Sequence, residues 1–524
     1  MEKLLIGVDF GTDSVRALLV RADGRQLSES VNPYRRWQEG RYCCPEDNQF
    51  RQHPLDYLES LEEVLQTLLR GQNTAAVAGL ALDATASTPC PVDEHARPLA
   101  LHPEFADNPE AMFILWKDHT ALAEAERINE VAANCPVDYR QYCGGTYSSE
   151  WLWSKMLYVL RRDSGIRQAA CGWLELCDWV GAELCGLSDP QRLPRSRCAA
   201  GHKAMWHADW DGLPPQEFLT AVDPLLAGWR ERLAGPCLTA DRPIGELSEK
   251  WSRKLGLPPG VVVGGSGIDA HFGAVGAQIQ PFKLVKVLGT STCDIMAVPG
   301  FSRCVRGICG QVDGSVLPGM VGLEAGQAAF GDVYAWFRNM LGQAGEVSLS
   351  ELEAEAAAVA PGSNGLLALD WFNGRRSPDA NPQLSGAIFG LRLGSTRGMI
   401  YRALLEGTVF GAQAILERLN EEGLPVQEII ATGGISRKSA LVMQLCADVF
   451  NLPIRIAASE QTCALGAAMF AAVAAGVHPD IMAAMAAMGA GYDREYRPQP
   501  VLVPVYRRLY RQYRKYGRLL EEAL

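Results

Sequence analysis

Three stretches of small and hydroxylated residues each follow an apolar run in this chain: Asp9-Phe10-Gly11-Thr12-Asp13-Ser14, Leu288-Gly289-Thr290-Ser291-Thr292 and Ala431-Thr432-Gly433-Gly434-Ile435-Ser436. Each reads as a strand ending in a turn whose free backbone N–H groups can cradle phosphate oxygens, so the ligand they imply together is a nucleotide. Asp9 closes the first apolar run, where a carboxylate suits a magnesium-nucleotide site because a hard cation takes carboxylate oxygens, or its own waters, beside phosphate. Gly11, Thr12 and Ser14 form the turn after it. Gly289, Thr290 and Ser291 repeat that turn far along the chain, and two such loops can grip the two ends of a triphosphate. A third kind of chemistry sits at Asp269, in Gly265-Ser266-Gly267-Ile268-Asp269-Ala270-His271. Its carboxylate, among glycines that admit another molecule, can accept the proton of an attacking hydroxyl, or else cap a helix.

Trp116-Lys117-Asp118-His119, the segment from Ala200 to His207, and Gly322-Leu323-Glu324-Ala325-Gly326-Gln327 mix carboxylates, amines and indoles, groups suited to a polyol. His202 and His207 are not spaced as a metal pair, and no third ligand stands near them in sequence. Neither a G-x-x-x-x-G-K-[ST] loop nor a G-x-G-x-x-G turn after the first strand occurs, which excludes P-loop and dinucleotide-binding readings.

The elements around these residues repeat. Leu4 to Asp9 and Val15 to Val20 read as strands, Asp23-Gly24 turns into a third, Leu55 to Leu69 has helical periodicity, and Val77 to Leu82 is another buried strand. From Lys283 the same grammar restarts, with a strand to Leu288, a turn, and a strand from Cys293 to Val298. Pro258-Pro259-Gly260 introduces Val261-Val262-Val263 and then a glycine loop to Asp269. Glu428 to Thr432, a helix from Arg437 to Phe450, and Pro453 to Ala457 form a βαβ unit whose glycine turn lies at a strand's carboxyl end. At 524 residues two domains of roughly 250 are expected, with the boundary near 277–281: an N-terminal domain over 1–278 and a C-terminal domain over 279–524. The fold class expected is α/β, two duplicated actin-like (ribonuclease H-like) ATPase domains with a site in the cleft between them. That class holds sugar kinases, chaperone ATPases and filament proteins.

A net charge of −11 opposes a nucleic-acid or anionic-membrane partner. The basic stretch from Tyr506 to Arg518 reads as the solvated face of a terminal helix. The 15 cysteines are scattered, form no C-x-x-C pair and follow no secretory signal, which fits a reducing cytoplasm. The run from Cys463 to Val477 is too short to cross a bilayer, and its alanines and glycines predict a closely packed buried helix.

On particular stretches the chain resembles the FGGY carbohydrate kinases, and within them the branch that phosphorylates L-ribulose. These stretches are Asp9 to Ala17, Phe105 to Pro109 with Met112 to Thr120, Tyr147 to Trp151, Ala200 to Trp206, Gly307 to Ser315, and Asp370-Trp371-Phe372-Asn373-Gly374-Arg375-Arg376. The resemblance implies transfer of phosphate from ATP, with Mg2+, to the C5 hydroxyl of L-ribulose in arabinose breakdown. It implies Asp269 as catalytic base, Lys203 and Glu324 as sugar contacts, and Asp118 and Ala86 as pocket neighbours. Gly11, Thr12, Gly289, Thr290 and Ser291 fall on the phosphate loops, and Gly433, Gly434 and Lys438 on the adenosine loop. A homodimer is implied by the resemblance alone. A kinase for another ketose or polyol, such as D-ribulose or xylulose, and a non-kinase ATPase of the actin-like class stay open at this level.

Overall fold

The computed structural model describes residues 3–342, 347–363 and 365–523. Its centre is a pair of mixed sheets. The first runs, in spatial order, Gly245–Glu246, Val262–Ile268, Val77–Ala84, Leu4–Phe10, Ser14–Arg21, Gln26–Pro33. The second runs Gly310–Asp313, Val321–Ala325, Thr292–Val298, Lys283–Leu288, Glu428–Thr432, Ile454–Ala457, Tyr492–Tyr496. In each, an antiparallel hairpin supplies the first two strands in sequence, and two further strands add parallel to the hairpin's first strand. Five strands of each sheet, Val262–Ile268 to Gln26–Pro33 in the first and Ile454–Ala457 to Val321–Ala325 in the second, therefore share one order and one set of directions, the duplicated actin-like α/β architecture.

All seven residues of Leu4–Phe10 are buried, as an apolar strand covered on both faces must be. Leu4, Ile6, Val8 and Phe10 point to a core shared with Leu61, Val64, Leu65 and Leu68 of the amphipathic helix Pro54–Leu69. Leu5 points the other way, to a core shared with the helix Thr462–Ala474. That helix is buried along most of its length, and its small residues let it lie directly on the first sheet: a Cβ on Gly7 would fall on the carbonyl oxygen of Ala464. A helix late in the chain thus covers a sheet formed by its beginning.

The stretch Gly264 to Gly267, expected as a loop, is strand. The ladder with Val77–Ala84 continues through a register shift to Ile268. Its glycines serve close packing, since a Cβ at Gly265 would meet the backbone of Ala240 and one at Gly267 the ring of Phe272. The expected helix over 437–450 is two helices, Gly434–Lys438 and Ala440–Phe450, separated where Ser439 leaves helical geometry and its hydroxyl accepts from the Val442 N–H at 3.1 Å. Between Val77–Ala84 and Val262–Ile268 a largely helical region builds a core of its own around Trp153, Met156, Leu157 and Trp173. That region carries two of the three segments expected to meet a polyol, residues 116–119 and 200–207; the third, with Glu324, lies on the strand Val321–Ala325 of the second sheet.

Candidate active site

Parallel strands place Asp9, Asp83 and Asp269 together. Leu4–Phe10 and Val77–Ala84 pair with Asp9 directly opposite Asp83, and Asp83 is opposite Gly267 on the third strand, two residues before Asp269. Partner positions of a parallel ladder point to the same face, so the carboxylates of Asp9 and Asp83 converge at the carboxyl ends of the strands. Asp9 accepts from the Arg16 guanidinium at 3.1 Å, while its other oxygen and both oxygens of the fully buried Asp83 have no partner. Burial pushes both carboxyls up, Asp83 strongly, with the charge of Asp9 adding to its shift.

Asp269 is half-buried at the start of the helix Asp269–Gly276, where its Oδ1 accepts from the Ala270 N–H at 2.7 Å. Burial, then the charge of Asp9, push its carboxyl up to about 7; the Ala270 bond and Lys203 oppose the rise. A carboxylate poised there can take a proton near neutral pH.

Asp269 also feels the charges of a largely buried ion pair. Lys203, on the helix Arg197–Ala204, donates to both oxygens of Glu324, on the strand Val321–Ala325, at 2.9 and 3.2 Å. Burial would raise the Glu324 carboxyl, but the Lys203 ammonium beside it outweighs that and holds the group far below its ordinary range. The Lys203 ammonium sits 5.6 Å from the Trp151 ring centroid. Glu150 and Arg376 pair nearby at 3.2 Å, with His119 3.5 Å from Glu150.

The turns read as phosphate loops close on themselves, so the Gly11 and Gly289 N–H groups, expected to be free, are engaged within them. Gly11 N–H donates to Ser14 and Gly289 N–H to Ser291, each at 3.0 Å. The N–H groups of Phe330 and Asp332 pin Thr290 at 2.7 and 3.1 Å. Gly433 has a left-handed φ of 86° against the Leu288 backbone, and Gly434 faces open space, so the second and third loops meet at the end of Lys283–Leu288. Thr12 is held by Trp116, whose indole N–H donates to its hydroxyl at 3.0 Å. Lys438 is exposed at the end of its short helix.

Ala86 is half-buried just past Val77–Ala84. The segment after it is anchored by Glu175, which accepts from the Ser87 hydroxyl at 2.5 Å and the Thr88 N–H at 2.7 Å. Lys155, fully buried and pushed by burial down to about 7, donates to the carbonyls of Ser87 and Leu115 at 2.7 and 2.8 Å, tying Ala86's segment to Trp116's. Asp118 is also fully buried, and its carboxylate is engaged by Arg51, the Phe50 N–H, and the Thr120 N–H and hydroxyl. Four donors fill its acceptor sites, so it positions the Trp116 segment rather than offering a free oxygen to a ligand. Asp83, Glu150, His271 and Arg376 were not singled out by sequence reasoning. Glu150 and Arg376 lie within stretches that carried the family resemblance, and Asp83 and His271 carry no glycine turn of their own.

Residues 284–475 match the C-terminal domain of the FGGY family of carbohydrate kinases. Over 99% of its length the chain is 47% identical to a protein of Vibrio parahaemolyticus named ribulokinase, covering 96% of that protein. It is 40% identical, over 98% of its length, to a ribulokinase of Geobacillus thermodenitrificans, covering 94% of it. Among solved structures it superposes on xylulose kinase from Rhodospirillum rubrum with a TM-score of 0.83 at 22% identity, covering 99% of both chains. Glycerol kinase from Plasmodium falciparum with ADP gives 0.79 at 14% identity, over 100% of this chain and 98% of that one. The fold, the paired phosphate-type turns and this whole-length likeness agree that the chain is an ATP-dependent sugar kinase and belongs to the FGGY family of carbohydrate kinases.

Proposed function

We propose that this kinase transfers the γ-phosphoryl group of ATP to the C5 hydroxyl of L-ribulose, forming L-ribulose 5-phosphate, with Asp269 as the base that takes the hydroxyl proton. The observation that carries this reading is the setting of Asp269: a half-buried carboxyl pushed up to about 7, within reach of the charges of Asp9 and of the Lys203–Glu324 pair. Lys203 and Glu324 hold the sugar hydroxyls by donating and accepting in turn, beside Ala86 and Trp116. The turns at Gly11–Ser14 and Gly289–Ser291 hold the phosphates, and Gly433, Gly434 and Lys438 hold the adenosine. Asp9 and Asp83 fit the Mg2+ that accompanies ATP, because a hard dication takes the three oxygens that lack partners there. Bound Mg2+ neutralises phosphate charge; the residues of this chain do the orienting and the proton transfer.

The N-terminal part to about residue 278 carries the first phosphate turn and most of the sugar contacts, and the C-terminal part from 279 carries the ATP site and adds Glu324 to the sugar contacts. A homodimer rests on the family resemblance alone, and a cytoplasmic setting accords with the 15 free cysteines. No helix among the described residues is long and apolar enough to cross a membrane.

The test is ADP release with Mg-ATP against the four 2-ketopentoses, the pentitols, glycerol and no sugar. L-ribulose is expected to give the highest kcat/KM. A different leading polyol renames the substrate and keeps the mechanism; ATP turnover that no sugar stimulates overturns the reading.

A further inference from the structure

Behind the Lys203–Glu324 pair, His202 and His271 face each other. Their Nε2 atoms are 3.1 Å apart, and both side chains are fully buried. Cys198 lies one turn before His202 on the same helix face. One ligand atom from each of Cys198, His202 and His271 lies within 4.8 Å of the other two.

A hydrogen bond between two neutral imidazoles explains the Nε2 contact alone. It leaves the Nδ1 atoms of both rings buried without a hydrogen-bond partner. Zinc–nitrogen bonds of about 2.0–2.1 Å in a tetrahedral site set two nitrogens roughly 3.3 Å apart, close to the spacing present here. Metal on both Nε2 atoms would put a proton on each Nδ1, and Glu324 Oε2 stands 3.5 Å from His202 Nδ1. A carboxylate behind a ligating imidazole is the usual support of such a ligand. Ser315 Oγ, 3.2 Å from His202 Nε2 and donating to the Val312 carbonyl at 3.1 Å, is a further oxygen beside the histidines.

We propose that Cys198, His202 and His271 form an inhibitory site for a soft divalent cation, Zn2+, distinct from the Mg2+ carried with ATP. On binding, the Cys198 thiol releases its proton to solvent as the sulfur–zinc bond forms, and the two imidazoles bind as neutral donors. Glu324 is drawn toward His202 Nδ1 and its bond to Lys203 weakens. Inhibition rests on the sugar-contact reading of that pair; metal binding does not.

The experiment is a titration of the full-length protein with Co2+ alone, followed by Zn2+. It expects one equivalent of Co2+ with tetrahedral visible bands and a thiolate-to-cobalt band in the near ultraviolet, both removed by Zn2+. Under saturating Mg-ATP, Zn2+ is expected to raise the sugar KM tenfold or more. Cys198→Ser should keep the zinc-free turnover, lose the thiolate band and need at least tenfold more Zn2+ for the same inhibition; Cys198→Ala is the second variant should serine disturb folding. A wild-type protein without the thiolate band, or a band or inhibition unchanged in both variants, overturns the proposal. If the Cys198-dependent band is present and no sugar is phosphorylated, the metal site stands and the functional reading falls.

Discussion

Three carboxyls at neighbouring strand ends cannot all ionise freely, and the unequal burdens on them suit unequal tasks. Asp9 has Arg16 as a partner, Asp83 has no cationic partner in direct contact, and Asp269 keeps one backbone N–H and partial access to solvent. Asp269→Asn removes the proton acceptor with little change in shape. Turnover is expected to fall by about 10²–10⁴-fold, with sugar and nucleotide dissociation constants nearly unchanged by calorimetry; normal turnover would remove Asp269 from the chemistry. The same residue makes a stability prediction. A carboxyl whose folded pKa, about 7, lies above its unfolded value near 3.8 favours the fold while protonated, and that contribution is lost as pH rises through 7. Thermal melts of Asp269→Asn should therefore lie above wild type at pH 8, with the difference shrinking below pH 7 and vanishing near pH 4; a constant difference would mean that Asp269 is not perturbed as described. Asp9 and Asp269 were legible in the sequence because glycines and hydroxyls flank them at the ends of apolar runs. Asp83 was not, because its significance comes from standing opposite Asp9 in a parallel ladder, and register between strands some 70 residues apart leaves no local mark. The histidines repeat the lesson: the reading that no third ligand stands near His202 passed over Cys198 one turn back, and only folding delivers His271.

Glycines in this chain divide into those that admit another part of the protein and those that face open space, and the sequence pattern alone does not separate them. The run Gly264-Gly265-Ser266-Gly267 looks like a ligand loop, yet it is strand whose missing side chains admit Ala81, Ala240 and Phe272. Gly466 likewise admits the helix Asp269–Gly276, since a Cβ there would fall on the Phe272 carbonyl oxygen. Gly434 has nothing within 4 Å of where its Cβ would be. Gly466→Ala is expected to destabilise the fold by roughly 1–3 kcal/mol or more, read by denaturant unfolding, because backbone rather than a movable side chain occupies the space. Gly434→Ala should leave unfolding unchanged and raise the KM for ATP several-fold, because the added methyl enters the space assigned to the nucleotide. Equal stability losses in both variants would mean that Gly434 serves packing as well. The periodic elements were readable from their sequence, among them Pro54–Leu69, the two hairpins and the buried Thr462–Ala474 helix. The break at Ser439 was not, because a single serine inside an apolar helical pattern reads as helix until its hydroxyl is seen capping the following turn.

Duplication supplies two similar sheets, and divergence of the charges inside them separates their work. Where the first hairpin pairs Asp9 with Arg16, the second pairs Lys286 with Asp294 at 2.8 Å, fully buried, so the cation and the carboxylate have exchanged strands. The first sheet therefore presents acid at its strand ends, and the second leaves its strand-end turn to backbone N–H groups and Thr290. The largely helical region inserted into the first half then brings Lys203 and Glu150 against Glu324 and Arg376, which follow the second sheet's opening hairpin in sequence. Two ion pairs thus join the inserted region to the second half. If these pairs couple sugar binding to closure, cutting either side of one should have the same effect, and cutting both should add little. Glu150→Gln and Arg376→Gln are each expected to raise the sugar KM about tenfold while leaving the KM for ATP within twofold, and the double variant to stay near the single ones. That pattern corresponds to a coupling of about 1.4 kcal/mol. ATP hydrolysis without sugar is a second readout, because loosening a pair that only braces the fold leaves it unchanged, whereas loosening closure admits water to the phosphate. Strictly additive effects on the sugar KM, with unchanged hydrolysis, would reduce Glu150 and Arg376 to independent contacts and leave Lys203 and Glu324 as the pair that carries the sugar's signal across the cleft.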